Sequence, residues 1–231
     1  MIRRMVTVAL IALAVAGSAP SRAQPADPRL AQAQRDHDAA EALWQSGGVE
    51  EIDRLLRHAL SLREEALGPD HLLVARTRDY LGRNAFNSRR FVEAERHFRD
   101  AARITIPQTG ELTLDVAYYF GSIGASLREQ NRFGLARPYV CHSLAIRQSL
   151  LPPGHQLIAS SLDNLARIAL GEGDVVEART LLEESQRLYV AAFGSEPPLI
   201  RNQRALLDRV RAAAPVAPPF EAVACGPVPT S

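Results

Sequence analysis

The sequence predicts an all-α fold, a right-handed solenoid of antiparallel helix pairs, and three observations predict it. The first is an internal period of 42 residues. Val74-Ala75, Val116-Ala117 and Ile158-Ala159 fall in one register, followed by Leu81-Gly82, Ile123-Gly124 and Leu165-Ala166, then by Ala94, Ala136 and Ala178 and by Phe98, Val140 and Leu182. The second is helical spacing within each unit: Leu162, Leu165, Ala166 and Ala169 recur at i, i+3, i+4 and i+7, as do Ala178, Leu181, Leu182 and Ser185. The third is punctuation. Gly171-Glu172-Gly173-Asp174 falls between the helices of one unit, and Gly68-Pro69-Asp70 and Pro152-Pro153-Gly154 fall between units, while strand signals are absent.

Taken in chain order, residues 1–23 read as a signal peptide. Met1-Ile2-Arg3-Arg4 is a basic n-region, Met5 to Gly17 is an apolar run too short to span a bilayer, and Ser21-Arg22-Ala23 offers small residues at a cleavage site. The mature chain is expected to start near Gln24. Leu30 to Leu67 is a divergent first repeat, since subtracting 42 places Ile52 under Ala94, Leu56 under Phe98 and Ala59 under Ala101. Three regular units follow. Pro198 to Ala213 is one final helix, with Ile200 under Ile158 and Leu207 under Leu165, so residues 24–213 hold about four and a half repeats. Atypical end units are expected of a stack, whose ends have a neighbour on one side only. Residues 214–231, with Pro215, Pro218, Pro219, Pro227 and Pro229, form a proline-rich tail that cannot continue as helix.

The small residues of the repeat explain how the pairs close. Gly82, Gly124 and Ala166 on first helices, and Ala94, Ala136 and Ala178 on second helices, remove bulk where helix axes approach. Leu81, Ile123 and Leu165, with Phe98, Val140 and Leu182, fill the space around them.

These motifs resemble the tetratricopeptide repeat. Leu67-Gly68-Pro69-Asp70-His71, Asp163-Asn164-Leu165-Ala166 and the 42-residue period are more similar to the longer variant found in kinesin light chains and bacterial relatives. The resemblance covers about 185 of the 231 residues. It departs from the family at Pro138, which falls in the first turns of a second helix. It implies a curved superhelix whose concave face is lined by first helices and binds a protein or peptide, without catalysis. Two other readings stand beside it: a structural subunit of an envelope assembly packing through its end helices, and an enzyme whose site the sequence does not reveal.

Composition narrows the partners. Without Arg3, Arg4 and Arg22 the chain has 24 arginines against 26 acids, a net charge of −2, which argues against nucleic acid. No lysine is present, and with abundant alanine this points to a GC-rich bacterium; with the signal peptide it predicts a periplasmic or secreted, Gram-negative protein with no membrane span after cleavage. Cys141 and Cys225 are an even pair for an oxidising compartment and open one disulfide, although Cys141 also reads as a small buried residue.

Chemistry is not evident. His71 and His155 occupy equivalent turns before first helices, and His37, within Arg35-Asp36-His37-Asp38, reads as part of a solvated face. His58, His97 and His142 lack ligand-type partners at i+4, and adjacent pairs such as Glu64-Glu65 or Glu183-Glu184 diverge on a helix. Neither a nucleophile motif nor a phosphate loop occurs, so no catalytic residue, metal or cofactor is expected.

For the groove itself, Arg83, Arg167 and Arg209 share one column of the repeat, two positions beyond Leu81, Leu165 and Leu207. The resemblance implies that this column faces the concave surface, flanked by Tyr80 and Asn164, with Tyr118 and Tyr119 adding aromatic area where Ala125 interrupts the arginines. Repeated guanidinium groups suit carboxylates, so an acidic or C-terminal peptide segment is the expected ligand. The alternative is an exposed helix face whose arginines pair with Asp79, Asp163 or Asp208.

Overall fold

The computed structural model describes residues 27–45, 48–194 and 198–213, together with positions 220, 223 and 225. Residues 1–23, read from the sequence as a signal peptide, and most of the tail 214–231 lie outside the described residues. Nine helices form among the described residues: α1 (Pro28–Leu43), α2 (Val49–Leu67), α3 (Leu72–Asn87), α4 (Phe91–Thr109), α5 (Leu114–Glu129), α6 (Phe133–Leu150), α7 (Gln156–Glu172), α8 (Val175–Phe193) and α9 (Pro198–Ala213). No strand occurs among the described residues. Each helix packs on the next in sequence, and α5 also touches α7, first helix on first helix, along the inner side of the stack.

Local chemistry sets the helix ends. The Asp27 carboxylate accepts from Arg29 N–H at 2.9 Å, with Pro28 at the first helical position, where its missing N–H costs nothing. His71 and His155 are N-caps whose ring Nδ1 accepts from the N–H of Leu73 (3.1 Å) and Leu157 (3.2 Å), which gives the two equivalent histidines a structural role. Second helices end on Gly68, Gly110 and Gly194, all at positive φ and 42 or 84 residues apart. Position 152, in the same register, is proline, and there α6 ends earlier, at Leu150.

The turn inside each unit is a second periodic device. Arg89, Asn131 and Gly173 all take left-handed φ (60°, 58° and 87°). The following N–H reaches back five residues, from Arg90 to Ala85, Arg132 to Leu127 and Asp174 to Ala169, which satisfies a carbonyl at the helix end. Only one of the three positions is glycine. Gly171, assigned from sequence to the turn, lies inside α7, where an added Cβ would sit 2.2 Å from the Phe133 ring. Its smallness serves packing between units.

Within a pair, Gly82 faces the Phe98 ring and Gly124 faces Val140, while Ala94, Ala136, Ala166 and Ala178 are fully buried. Pro138 is accommodated in the second turn of α6. Between units, a polar column at 63, 105, 147 and 189 meets a column at 77, 119, 161 and 203. The residues alternate in size: Arg63 with Thr77, Thr105 with Tyr119, Arg147 with Ser161, Tyr189 with Gln203, all buried. Arg63 Nη1 donates to Thr77 Oγ1 at 2.6 Å, and Arg147 Nη1 donates to Ser161 Oγ at 2.8 Å. In the first three pairs a large side chain on one side meets a small one on the other, which keeps the spacing between units; the last, Tyr189 with Gln203, where the final helix begins, departs from this.

Cys141, buried on α6, is joined by a disulfide to Cys225 across 84 residues of sequence, so Cys225 is held against the second-helix side of the stack. Val223 packs on the core beside it.

A Gly124→Ala substitution tests the close approach. Its Cβ would fall 2.4 Å from Val140 Cγ2 and 3.1 Å from the Ala136 carbonyl oxygen. Overpacking of this kind is expected to cost about 1–3 kcal/mol, measured by urea unfolding.

Candidate functional site

First helices line the inner face, and there the structure holds a cavity of about 360 Å³ between α3, α5 and α7. Three elements build its walls. Arg83, Phe86 and Asn87 come from the last turns of α3; Tyr118, Gly121, Ser122 and Ala125 from α5; Leu157, Ser160 and Asn164 from α7. Trp44, just past α1, closes one end, and Phe98 and Arg147 reach in from the second helices.

The residues expected in the groove divide into two sets. Arg83, Tyr118 and Asn164 line the cavity. The Arg83 guanidinium lies 4.9 Å from the ring centroids of both Trp44 and Tyr80, which stand edge to face at 6.0 Å, and these two cation–π contacts fix its direction. Tyr80 stands behind it, its hydroxyl donating to Glu41 at 3.3 Å. Asn164 accepts from Arg128 Nη1 and donates to the Ser160 carbonyl, so its amide is already oriented. Tyr119 belongs to the core instead, 7 % exposed, because it fills the inter-unit position that Thr77 and Ser161 hold elsewhere. Arg167 is bound to Asp163 at 2.8 Å on its own helix, and Arg209 is exposed on α9; neither lines the cavity. The three arginines share a column but not an environment.

Sequence reasoning missed Trp44, Phe86 and Arg147. Trp44 lies in the divergent first unit, beyond the best part of the repeat. Arg147 lies on a second helix, in a column that reads as core. Its signal was the spacing of 84 from Arg63.

The histidines also differ from their expected settings. His37 is fully buried, with Asp36 only 7 % exposed, because α1 turns this face onto α2 and α3; His37 packs on Tyr80 with ring centroids 4.4 Å apart. Asp36 Oδ2 accepts from His58 Nδ1 at 2.7 Å. His97 is buried near Glu93, four residues earlier, at 3.7 Å. Among the described residues no cluster of three or more His, Cys, Asp or Glu could hold a metal ion.

Electrostatics along the wall are uneven. Asp79, next to Tyr118, has a buried carboxyl oxygen without a hydrogen bond, and burial raises its pKa to about 6, a shift that Arg83 and the Tyr118 hydroxyl reduce but do not cancel. Burial pushes His37 and His97 the other way, to about 4. An aspartate with a pKa of 3.8 unfolded and about 6 folded binds more proton in the folded state between those values, so its stabilising contribution is present below pH 4 and lost as pH rises through 6. The two histidines act oppositely, costing stability as pH falls from 6.5 towards 4. The contribution of Asp79 is therefore isolated by Asp79→Asn. The variant is expected to gain on the order of 2 kcal/mol over the wild type at pH 7.5, with the gain shrinking towards pH 4 in urea unfolding.

Comparison with known proteins agrees with this architecture. The tetratricopeptide repeat family profile matches residues 29–106 and 113–191. Among solved structures, a kinesin light chain of Podosopora anserina with nearly identical TPR-like repeats superposes at TM-score 0.66 and 20% identity, over 82% of this chain and 89% of that one. A point variant of the same kinesin light chain gives 0.65 and 20%, over 78% and 85%. BtubC (BKLC) from P. vanneervenii gives 0.62 and 19%, over 89% and 90%. No curated protein sequence matches significantly. At these identities the structural likeness speaks for the fold alone. The two profile matches together span more than half of the chain, with the inner-face cavity inside them, and the chain belongs to the tetratricopeptide repeat family.

Proposed function

We propose that this protein is a non-catalytic interaction scaffold of the bacterial cell envelope, exported to the periplasm, that holds a partner peptide or domain in its concave groove. The observation that carries the reading is the inner-face cavity, where Trp44, Phe86 and Tyr118 supply apolar area and Arg83, Ser122 and Asn164 supply oriented polar groups. Concave sites of this composition, mostly apolar with a few convergent polar groups, are the common form of binding sites. The tetratricopeptide fold is in general a protein-interaction scaffold, which supports a protein partner. Arg83, fixed over two rings and facing the cavity, supports an acidic character for the bound segment.

The Cys141–Cys225 disulfide and the N-terminal sequence support an oxidising destination. No helix among the described residues is long and apolar enough to cross a membrane. An envelope assembly packing through end helices is the competing reading.

Two measurements test the proposal. Fractionation with intact mass determination is expected to find a mature chain beginning near Gln24 outside the cytoplasm, with both thiols refractory to alkylation until reduced. A pool retaining Met1 in the cytoplasm overturns the location. Capture from envelope extracts is expected to fail with Tyr118→Ala and Ala125→Arg and to survive changes on exposed α9 residues such as Arg204→Ala. The opposite pattern favours assembly through the ends.

A further inference from the structure

Arg63 and Arg147 stand at the same place in the repeat, 84 residues apart, and both are buried, at 2 % and 6 % exposed. Each gives Nη1 to a backbone carbonyl and a hydroxyl of the next first helix: Leu73 and Thr77 for Arg63, Leu157 and Ser161 for Arg147. Their other edges differ. Arg63 is closed in by its own first helix, with Nη2 donating to Gln34 at 3.0 Å and the His37 ring 3.4 Å from Nη1. In the unit of Arg147 the positions equivalent to Gln34 and His37 are Tyr118 and Gly121. Gly121 puts no side chain over Arg147: a Cβ there would lie 3.1 Å from the buried Ser143 Oγ and 3.6 Å from Arg147 Nη2, so the edge that His37 covers in the first unit is left uncovered here. The result is the cavity, which Arg147 lines and Arg63 does not.

Among the described residues Arg147 Nε and Nη2 make no hydrogen bond, and no carboxylate is paired with the side chain. Burial lowers its pKa, opposed only by the phenols of Tyr189 and Tyr118. A buried guanidinium stays charged, and a buried charge without a partner is costly. Nε and Nη2 form one edge of a planar fork, the edge that matches the two oxygens of a carboxylate. The rest of the wall holds Arg83, already engaged with the Trp44 and Tyr80 rings, the aromatic groups Trp44, Phe86 and Tyr118, and neutral hydroxyls and amides.

We propose that this cavity is a carboxylate-binding subsite, in which the open edge of Arg147, exposed by Gly121, takes a carboxylate borne on an apolar or aromatic body seated against Trp44, Phe86 and Tyr118. The inference rests on the concave groove being the binding face. The carboxylate can come from a free small acid or from the end of a peptide chain.

The probes are phenylacetate, its neutral analogue phenylacetamide, and a tetrapeptide ending in phenylalanine as free acid and as amide, titrated into the full mature protein by calorimetry and by shifts of the Gly121 and Ser161 amide resonances. Phenylacetate is expected to bind at least about tenfold more tightly than phenylacetamide, and Arg147→Met to remove that preference. Arg147→Met keeps a long side chain in the seam while losing two Nη1 hydrogen bonds, and is expected to retain helix content and a cooperative melt, so that a lost preference is not a lost fold. Gly121→His, which restores the closed arrangement around Arg63, is expected to block binding with Arg147 still present. Arg63→Met is the control and is expected to leave phenylacetate affinity within about twofold. Preference for the free-acid peptide over its amide identifies a chain terminus as the source, and binding of phenylacetate alone identifies a small acid. Equal binding of phenylacetate and phenylacetamide, or a preference that survives in Arg147→Met, overturns the subsite. If partner capture still depends on Tyr118 in that case, the groove reading stands without it; if capture ignores every groove variant while phenylacetate still requires Arg147, the groove reading alone fails.

Discussion

No helix pair in this chain can bury its apolar surface alone, and the whole architecture follows from the way each pair is closed and then covered. Closure depends on a near contact of backbone with side chain. Gly82 accepts the Phe98 ring and Gly124 accepts Val140, and the alanines at 94, 136, 166 and 178 have no exposure at all. Because these positions repeat every 42 residues, the axes of successive pairs meet at the same depth, and stacking becomes a regular operation. The concave face is a consequence. First helices are drawn inward onto each other, as α5 on α7, and the side chains one column away from the packed stripe are left facing the groove.

Covering one pair with the next uses a different principle, conservation of volume across a polar seam. Arg63 against Thr77, Thr105 against Tyr119 and Arg147 against Ser161 place a long side chain on one side of the seam and a short one on the other. The arginines are expensive there, since a buried guanidinium must be met by acceptors. Carbonyls at the starts of first helices supply them, and these carbonyls sit at a fixed height because His71 and His155 cap the same turn in the same way. Helix capping, unit spacing and the depth of Arg147 behind the groove are therefore linked.

Periodicity made the fold legible: the 42-residue step, the small residues and the turn signals located every regular unit, and α1 and α9 emerged from weaker matches at the ends. The site was legible only in part. Arg83 and Asn164 could be placed in the groove because they stand two positions after Leu81 and one before Leu165, in columns that the resemblance puts on the concave face, and Tyr118 because it adds aromatic area in the unit where Ala125 interrupts the arginines. Tyr119 could not be told from Tyr118 by that argument. Its position depends on what stands opposite in the neighbouring unit, and the small Thr105 is 14 residues away on another helix. His37 and Asp36 looked solvated because charged neighbours surround them in sequence. Burial of that face is decided by the docking of α1 onto α2 and α3, where Tyr80 and Arg63 wait, and a local window contains neither.

A repeat protein states its own rule, so each departure from it can be weighed against the copies that obey. Some departures are structurally mild: Arg89 and Asn131 hold a left-handed conformation that Gly173 adopts more easily, and the same backbone bond forms in all three units. Others are compensated, as Tyr119 is by Thr105. Gly121 is neither. It stands where another unit has His37 and where adjacent units of the same register carry Asp79 and Asp163; Ser143 packs against it, but no side chain covers the Arg147 edge beside it. The loss removes the ring that covers the buried arginine and any carboxylate that could have neutralised it. The contact with Ser143 favours a small residue at 121, yet it does not cover the Arg147 edge, and a charge left without a carboxylate beside a cavity is costly. A ligand that brings its own negative group offsets that cost, and it places the functional departure in the central unit, where the groove is walled on both sides.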